Sequence, residues 1–220
     1  MTHLVLLGDS VFDNSAYVPQ GQDVLTQLRT LLSPAWQVSL LAEDGSTTEA
    51  LPAQLQRLPP NASHLVVSMG GNDALEHVHI LEACAHSFLE VLAYLADAGE
   101  SFQESYRAAL SSVVARGLPT TVCTIYEGRL DQSVRRQARA ALSVFNDALL
   151  REAFGHGVGV VDLRLLCGDD DDYSTPIEPS ARGGAKIARA IAEAVMDRRA
   201  GGRSEVFALS TAPVSSERGQ

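Results

Sequence analysis

Ser10, Gly45 and Asn72 are the residues whose types and positions could do chemistry together. Acyl transfer needs a nucleophile and hydrogen-bond donors aimed at the oxyanion that develops as a carbonyl is attacked. Ser10 follows the apolar run Leu4 to Leu7 and the pair Gly8-Asp9. A serine at such a strand-to-helix turn can present its hydroxyl while its own N–H points into the same site. Gly45 can offer a bare backbone N–H, because no side chain blocks close approach. Asn72, within Gly70-Gly71-Asn72-Asp73, can offer a side-chain amide N–H. Taken singly, each residue has a plain explanation: a helix-capping serine, a turn glycine, a turn asparagine. They acquire a shared meaning only if the fold brings them to one place.

The pattern of apolar residues predicts that it does. Short runs read as buried strands at Leu4–Leu7, Trp36–Ala42, His64–Met69, Leu118–Tyr126 and Val158–Leu163. Between them, helical spacing recurs at Val24, Leu25, Leu28 and Leu31, and at Leu51, Leu55 and Leu58 behind a Thr47 or Thr48 cap. It recurs again at Ile80, Cys84, Phe88, Leu92 and Leu95. Gly99 is read as a break, with a second helix running on to about Arg116. Further helices carry Val134, Ala138, Leu142, Phe145 and Leu149, and then Ile187, Ile191 and Val195. The β-α-β-α order predicts an α/β protein: a flavodoxin-like three-layer sandwich, its five-stranded parallel sheet in the order 2-1-3-4-5 with helices on both faces. Ligands bind such sheets outside the carboxyl ends of the strands. Ser10, Gly45 and Asn72 follow the first, second and third strands, so they share that edge. The domain is expected over residues 1–200, with residues 201–220 as a mobile extension.

At this point the residues resemble a family. Gly8-Asp9-Ser10, Gly45 and Gly70-Gly71-Asn72-Asp73 are similar, in order and spacing, to the first three blocks of the SGNH hydrolases, also called GDSL esterases. The resemblance covers most of residues 4 to 197. It implies a serine nucleophile at Ser10 and an oxyanion hole from Ser10, Gly45 and Asn72. It implies an esterase or acyltransferase acting on a small acyl ester.

The last block departs from the family pattern. The family usually shows Asp-x-x-His there, often followed by Pro-Ser. Here the stretch is Thr175-Pro176-Ile177-Glu178-Pro179-Ser180. Glu178 stands in the position of the general-base His, and Thr175 in that of its orienting Asp. Glu178 is therefore the candidate base, although a free Glu is weaker at neutral pH than His unless its pKa is raised. Asp9, Asp13, Asp44 and Asp73 belong to loops at the same edge and would push it upward. His3, His64 and His156 lie a strand length away, about 17–20 Å. His77 and His79 follow the third strand and are the histidines on the correct edge. Asp9, Asp13, Asp73 and Tyr126 are expected to contact substrate, with Arg129 near them. Glu178 could instead pair with Arg182 one helical turn on, and Asp169-Asp170-Asp171-Asp172 reads as a solvated acidic loop. Two rival readings stand beside the esterase. One is a non-hydrolytic binding protein for a small cationic or polyhydroxylated ligand. The other is a metal-assisted hydrolase using Asp9, Asp13, Asp73 and Glu178.

Composition narrows the partners. The net charge of −10 leaves no excess of Lys and Arg to neutralise phosphates, so no nucleic acid and no anionic membrane surface is expected. No apolar run reaches the ~18 residues of a membrane span, and the first residues lack the basic start of a signal peptide. Cys84, Cys123 and Cys167 have neither disulfide nor zinc spacing, and buried thiols in a cytoplasmic protein are the expectation. No cofactor and no metal is expected; the expected partner is a small-molecule substrate.

Overall fold

A computed structural model describes residues 2–79 and 86–196. Five strands, β1 (Thr2–Gly8), β2 (Trp36–Leu40), β3 (His64–Ser68), β4 (Thr120–Cys123) and β5 (Gly159–Val161), form one parallel sheet in the order 2-1-3-4-5. The predicted α/β architecture is the one found. The helices are α1 (Val24–Leu31), α2 (Leu51–Gln56), α3 (Gly71–Glu76), α4 (Phe88–Val114), α5 (Gln132–Gly155), α6 (Leu163–Leu166) and α7 (Ala181–Met196).

The layers follow from the two-residue period of the central strand. In β1, Leu4 and Leu6 point to one side and Val5 and Leu7 to the other, and all four are fully buried. Leu4 and Leu6 pack with Val24 and Leu28 of α1 and with Ile187 and Ile191 of α7. Val5 and Leu7 pack with Leu51 and Leu55 of α2, Phe102 and Leu110 of α4, and Phe145 and Leu149 of α5. Every strand therefore ends its run at the same edge, where Gly8 pairs with Ser68 and Ser68 with Cys123.

Three elements differ from the sequence reading. Gly99 does not interrupt a helix: α4 runs through it without a break. A Cβ at Gly99 would lie 2.4 Å from Cγ1 of Val144, so the glycine serves the close packing of α4 on α5. Residues Ile80 and Cys84, read as the start of that helix, lie outside the described residues, as do Gly201 to Gln220. The strand predicted over Val158–Leu163 is shorter, because Asp162 accepts from Arg164 N and caps α6 at its end. β4 also stops early, since Asn146 rather than β5 takes both Ile125 N and Ile125 O, each at 2.9 Å.

Candidate active site

The turn carrying Ser10 is fixed before the serine is reached. Gly8 has φ +129°, and a Cβ there would lie 1.8 Å from the Ser68 carbonyl oxygen, so only glycine fits the close approach of β1 to β3. The buried Gln54 amide clamps Gly8 from the side, donating to its carbonyl and accepting from its N–H, each at 2.8 Å. Beyond it the chain folds over Asp9. The carbonyl of Asp9 accepts from Phe12 N and Asp13 N, and its side chain accepts from Val11 N. Ser10 sits on this turn, 9% exposed.

The Ser10 hydroxyl donates to Oε1 of Glu178 at 3.0 Å. Glu178 reaches it from the loop before α7, and that loop is pinned at several points. Thr175 Oγ1 accepts from Glu178 N at 3.0 Å and from Ile177 N at 3.3 Å. The Glu178 carbonyl accepts from Ser174 N, and the Pro179 carbonyl from the buried Asn14 amide. Thr175 thus occupies the turn that orients Glu178 through backbone contacts. Glu178 is 5% exposed, and its Oε2 has no hydrogen-bond partner among the described residues. Burial raises its pKa, the bond from Ser10 opposes that in part, and the negative charge of Asp44 adds to it. The pair with Arg182 does not form. Arg182 instead lies 2.7 Å from Asp169, 3.4 Å from Asp171 and 3.5 Å from Asp172.

The remaining candidates separate into two groups. Asp9 and Tyr126 join Ser10, Asn72 and Glu178 in the wall of one cavity of about 170 Å³. Asp9 is 3% exposed, and its pKa is pushed up to about 8, chiefly by burial, with the charges of Glu178 and Asp73 adding to the rise. Tyr126 donates to the Ile177 carbonyl at 2.6 Å, and burial holds its phenol well above the ordinary range. Its ring packs edge-on against Tyr173 at 5.2 Å.

Asp13, Asp73 and Gly45 do not line that cavity. Asp13 accepts from Asp44 N, and Asp73 accepts from both the N–H and the hydroxyl of Thr48. Both carboxylates hold the loop after β2. Gly45 is exposed on that loop with φ +76°, which by itself favours glycine. Asn72, at the start of α3, ties to the same loop through its amide, which donates to the Ser46 carbonyl at 2.8 Å. One of its two amide hydrogens is thereby used and the other is left. Arg129 lies outside the cavity wall. His77 is in that wall, but its ring packs on Phe145, while His79 bonds the Glu76 carbonyl. His3 is buried at the opposite edge of the sheet, between Asn61 and Ser39.

Three side-chain amides not expected from the sequence brace this edge. Gln54 holds Gly8, Asn146 holds Ile125, and Asn14 joins Val24 N to the Pro179 carbonyl. The available signal was a polar residue at an otherwise apolar helical position, as with Gln54 beside Leu55 and Asn146 beside Phe145. The acidic run also differs from its reading. Asp170–Asp172 forms a 3-10 turn, and Asp172 is fully buried rather than solvated. Among the described residues no group of three or more His, Cys, Asp or Glu side chains is placed to hold a metal, which leaves the metal-assisted reading without a ligand set. No helix among them is long and apolar enough to cross a membrane.

A sequence profile for the GDSL-like lipase/acylhydrolase family matches residues 6–186. Among solved structures, the chain is similar to a phospholipase A1 from Streptomyces albidoflavus, at 17% identity and a TM-score of 0.68 over 88% of this chain and 99% of that one. It is similar to an extracellular lipase from Streptomyces rimosus, at 18% identity and a TM-score of 0.65 over 88% and 100%. It is also similar to the acetyl xylan esterase AlAXEase, at 14% identity and a TM-score of 0.65 over 88% and 100%. At these identities the likeness is one of fold. No curated protein matches the sequence.

Proposed function

The chain belongs to the GDSL-like lipase/acylhydrolase family, an ester-hydrolysing family, and on that premise we propose that it cleaves small acyl esters through Ser10 with Glu178 as general base. The observation that carries this reading is the bond from the Ser10 hydroxyl to Glu178 Oε1 at 3.0 Å, between two buried side chains. A carboxylate alone is a weak base toward a hydroxyl. Here burial and the charge of Asp44 raise its proton affinity, which brings it closer to the range useful at neutral pH.

In the proposed cycle Ser10 Oγ attacks the ester carbonyl carbon while Glu178 takes the hydroxyl proton. The oxyanion is received by the Ser10 N–H and the remaining amide hydrogen of Asn72; Gly45, exposed on the loop after β2 and outside the cavity wall, is left out of the donor set. Collapse of the tetrahedral intermediate expels the alcohol, which takes the proton back from Glu178. Water, deprotonated by Glu178, then releases the acid from the acyl-serine. Thr175 is a positioning residue, since it holds the turn that presents Glu178.

Hydrolysis of p-nitrophenyl acetate and butanoate by the wild type and by Ser10→Ala tests the reading. Turnover that disappears with Ser10→Ala supports it. Equal turnover by the two proteins overturns it, as does a folded wild type that cleaves neither ester. The similar structures include a lipase, a phospholipase A1 and an acetyl xylan esterase, so the fold accommodates several kinds of ester and leaves the choice to the pocket.

A further inference from the structure

The cavity beside Ser10 is lined by two unlike sets of residues. Asp9, Ser10, Asn72 and Glu178 are polar, while Leu95 of α4 and a face of α5 are apolar. From α5 come Ala138, Ala141, Leu142 and Phe145, spaced so that they share one helical face. Gly99 and Val144 mark the close approach of the two helices. Toward the start of α5, the small side chains of Ala138 and Ala141 line the cavity. The α5 face itself is apolar; His77, whose ring packs on Phe145, is the polar group in the wall beside it.

We propose that this cavity is an acyl-chain pocket and that α5 measures the chain, with Ala138, Ala141 and Leu142 setting its length. The proposal rests on the reading of Ser10 as the nucleophile, which fixes the carbonyl carbon beside the polar residues. An apolar cavity of ~150 Å³ accommodates benzene, so about 170 Å³ for the whole cavity, its polar part included, sets an upper bound of about six carbons on the acyl group. Each methylene buried contributes about 0.8 kcal/mol, which is roughly fourfold in kcat/KM. The preferred substrate class is therefore the ester of a medium-length straight-chain acid, above both acetyl esters and long-chain lipids.

The test is kcat/KM across p-nitrophenyl esters from acetyl to dodecanoyl, for the wild type, Ala141→Leu, Leu142→Ala and Ser10→Ala. Wild-type kcat/KM should rise by about two orders of magnitude from acetyl to hexanoyl and fall for longer chains. Ala141→Leu fills the pocket and should move the optimum to shorter chains while acetyl ester cleavage persists. Leu142→Ala enlarges the pocket and should move it to longer ones, so the two variants carry opposite predictions and either one decides. A profile that is flat, or that neither folded variant shifts, overturns the pocket even when Ser10→Ala abolishes activity. Activity that survives Ser10→Ala overturns the nucleophile assignment instead.

Discussion

Asp172 and Glu178 are two buried carboxylates on one stretch of chain, and their surroundings are opposite. Asp172 is fully buried beside cations: Lys186 Nζ lies 2.7 Å from one carboxylate oxygen and Arg182 Nε 3.5 Å from the other. Glu178 is nearly as buried, and each carboxylate has one oxygen without a hydrogen-bond partner among the described residues, but the partner of Glu178 is the neutral Ser10 hydroxyl rather than a cation. A buried charge without a cation is costly, and proteins rarely keep one without a use for its proton affinity. The difference makes Asp172 a carboxylate held by cations, and it is the ground on which Glu178 is proposed as the base.

Substitutions at the two ends of this comparison should have opposite effects. The largest is Ser10→Ala, which should lower kcat/KM for a preferred ester by at least about a thousandfold without loss of the fold, checked by circular dichroism. Glu178→Gln keeps the shape and removes the base. It should cut kcat by about 10²- to 10⁴-fold while the melting temperature holds or rises, because a desolvated charge is gone. Asp172→Asn should do the reverse. Steady-state kinetics should stay near wild type, and urea unfolding should show a loss of about 1–3 kcal/mol as Lys186 and Arg182 lose their partner. Thr175→Val has a smaller expected effect, a several-fold drop in kcat with little change in KM, since the turn around Glu178 loosens while the carboxylate remains.

The comparison also has a pH signature. In the proposed mechanism the working form of Glu178 is deprotonated, and burial raises its pKa. The rate should therefore climb with pH through a value above the ordinary carboxylate range, and Glu178→Gln should lose that limb. Stability should move the other way. Asp9 has a folded-state pKa of about 8 against an ordinary value of 3.8, so the folded protein holds that proton where the unfolded chain has released it. This contribution is full below about pH 4 and is lost as pH rises through 8, with a slope of at most about 1.4 kcal/mol per pH unit. Melting temperatures at pH 5 and pH 8 should show the decline in wild type and a shallower one in Asp9→Asn, whose amide can still accept from Val11 N.

Much of this was legible in the chain. Apolar runs such as Leu4 to Leu7, closed by glycine, mark strand ends, and the ends of β1 and β3 carry Ser10 and Asn72. Glu178 was readable as the partner of Ser10 because Pro179-Ser180 and the glycines of α7 fix its place. The unread part consists of contacts that sequence distance hides. Gly99 looks like a helix breaker until Val144 is seen against it. The solvated reading of Asp169 to Asp172 failed at Asp172, because its cations come from the next helix. Asp13 and Asp73 reach the active edge, as their position after strands predicted, but Asp44 N and Thr48 occupy them there. The clamps by Gln54, Asn146 and Asn14 join residues far apart in the chain, and no local pattern announces such a pairing.

The most direct measurement is the rate at which a serine-directed fluorophosphonate modifies the folded protein, followed by intact mass and peptide mapping from pH 5 to pH 9. The Ser10–Glu178 mechanism predicts one adduct, on Ser10, forming faster as Glu178 deprotonates and slowed at least about a hundredfold in Glu178→Gln. An adduct on another residue, no adduct at any of these pH values, or equal rates in wild type and Glu178→Gln would contradict it.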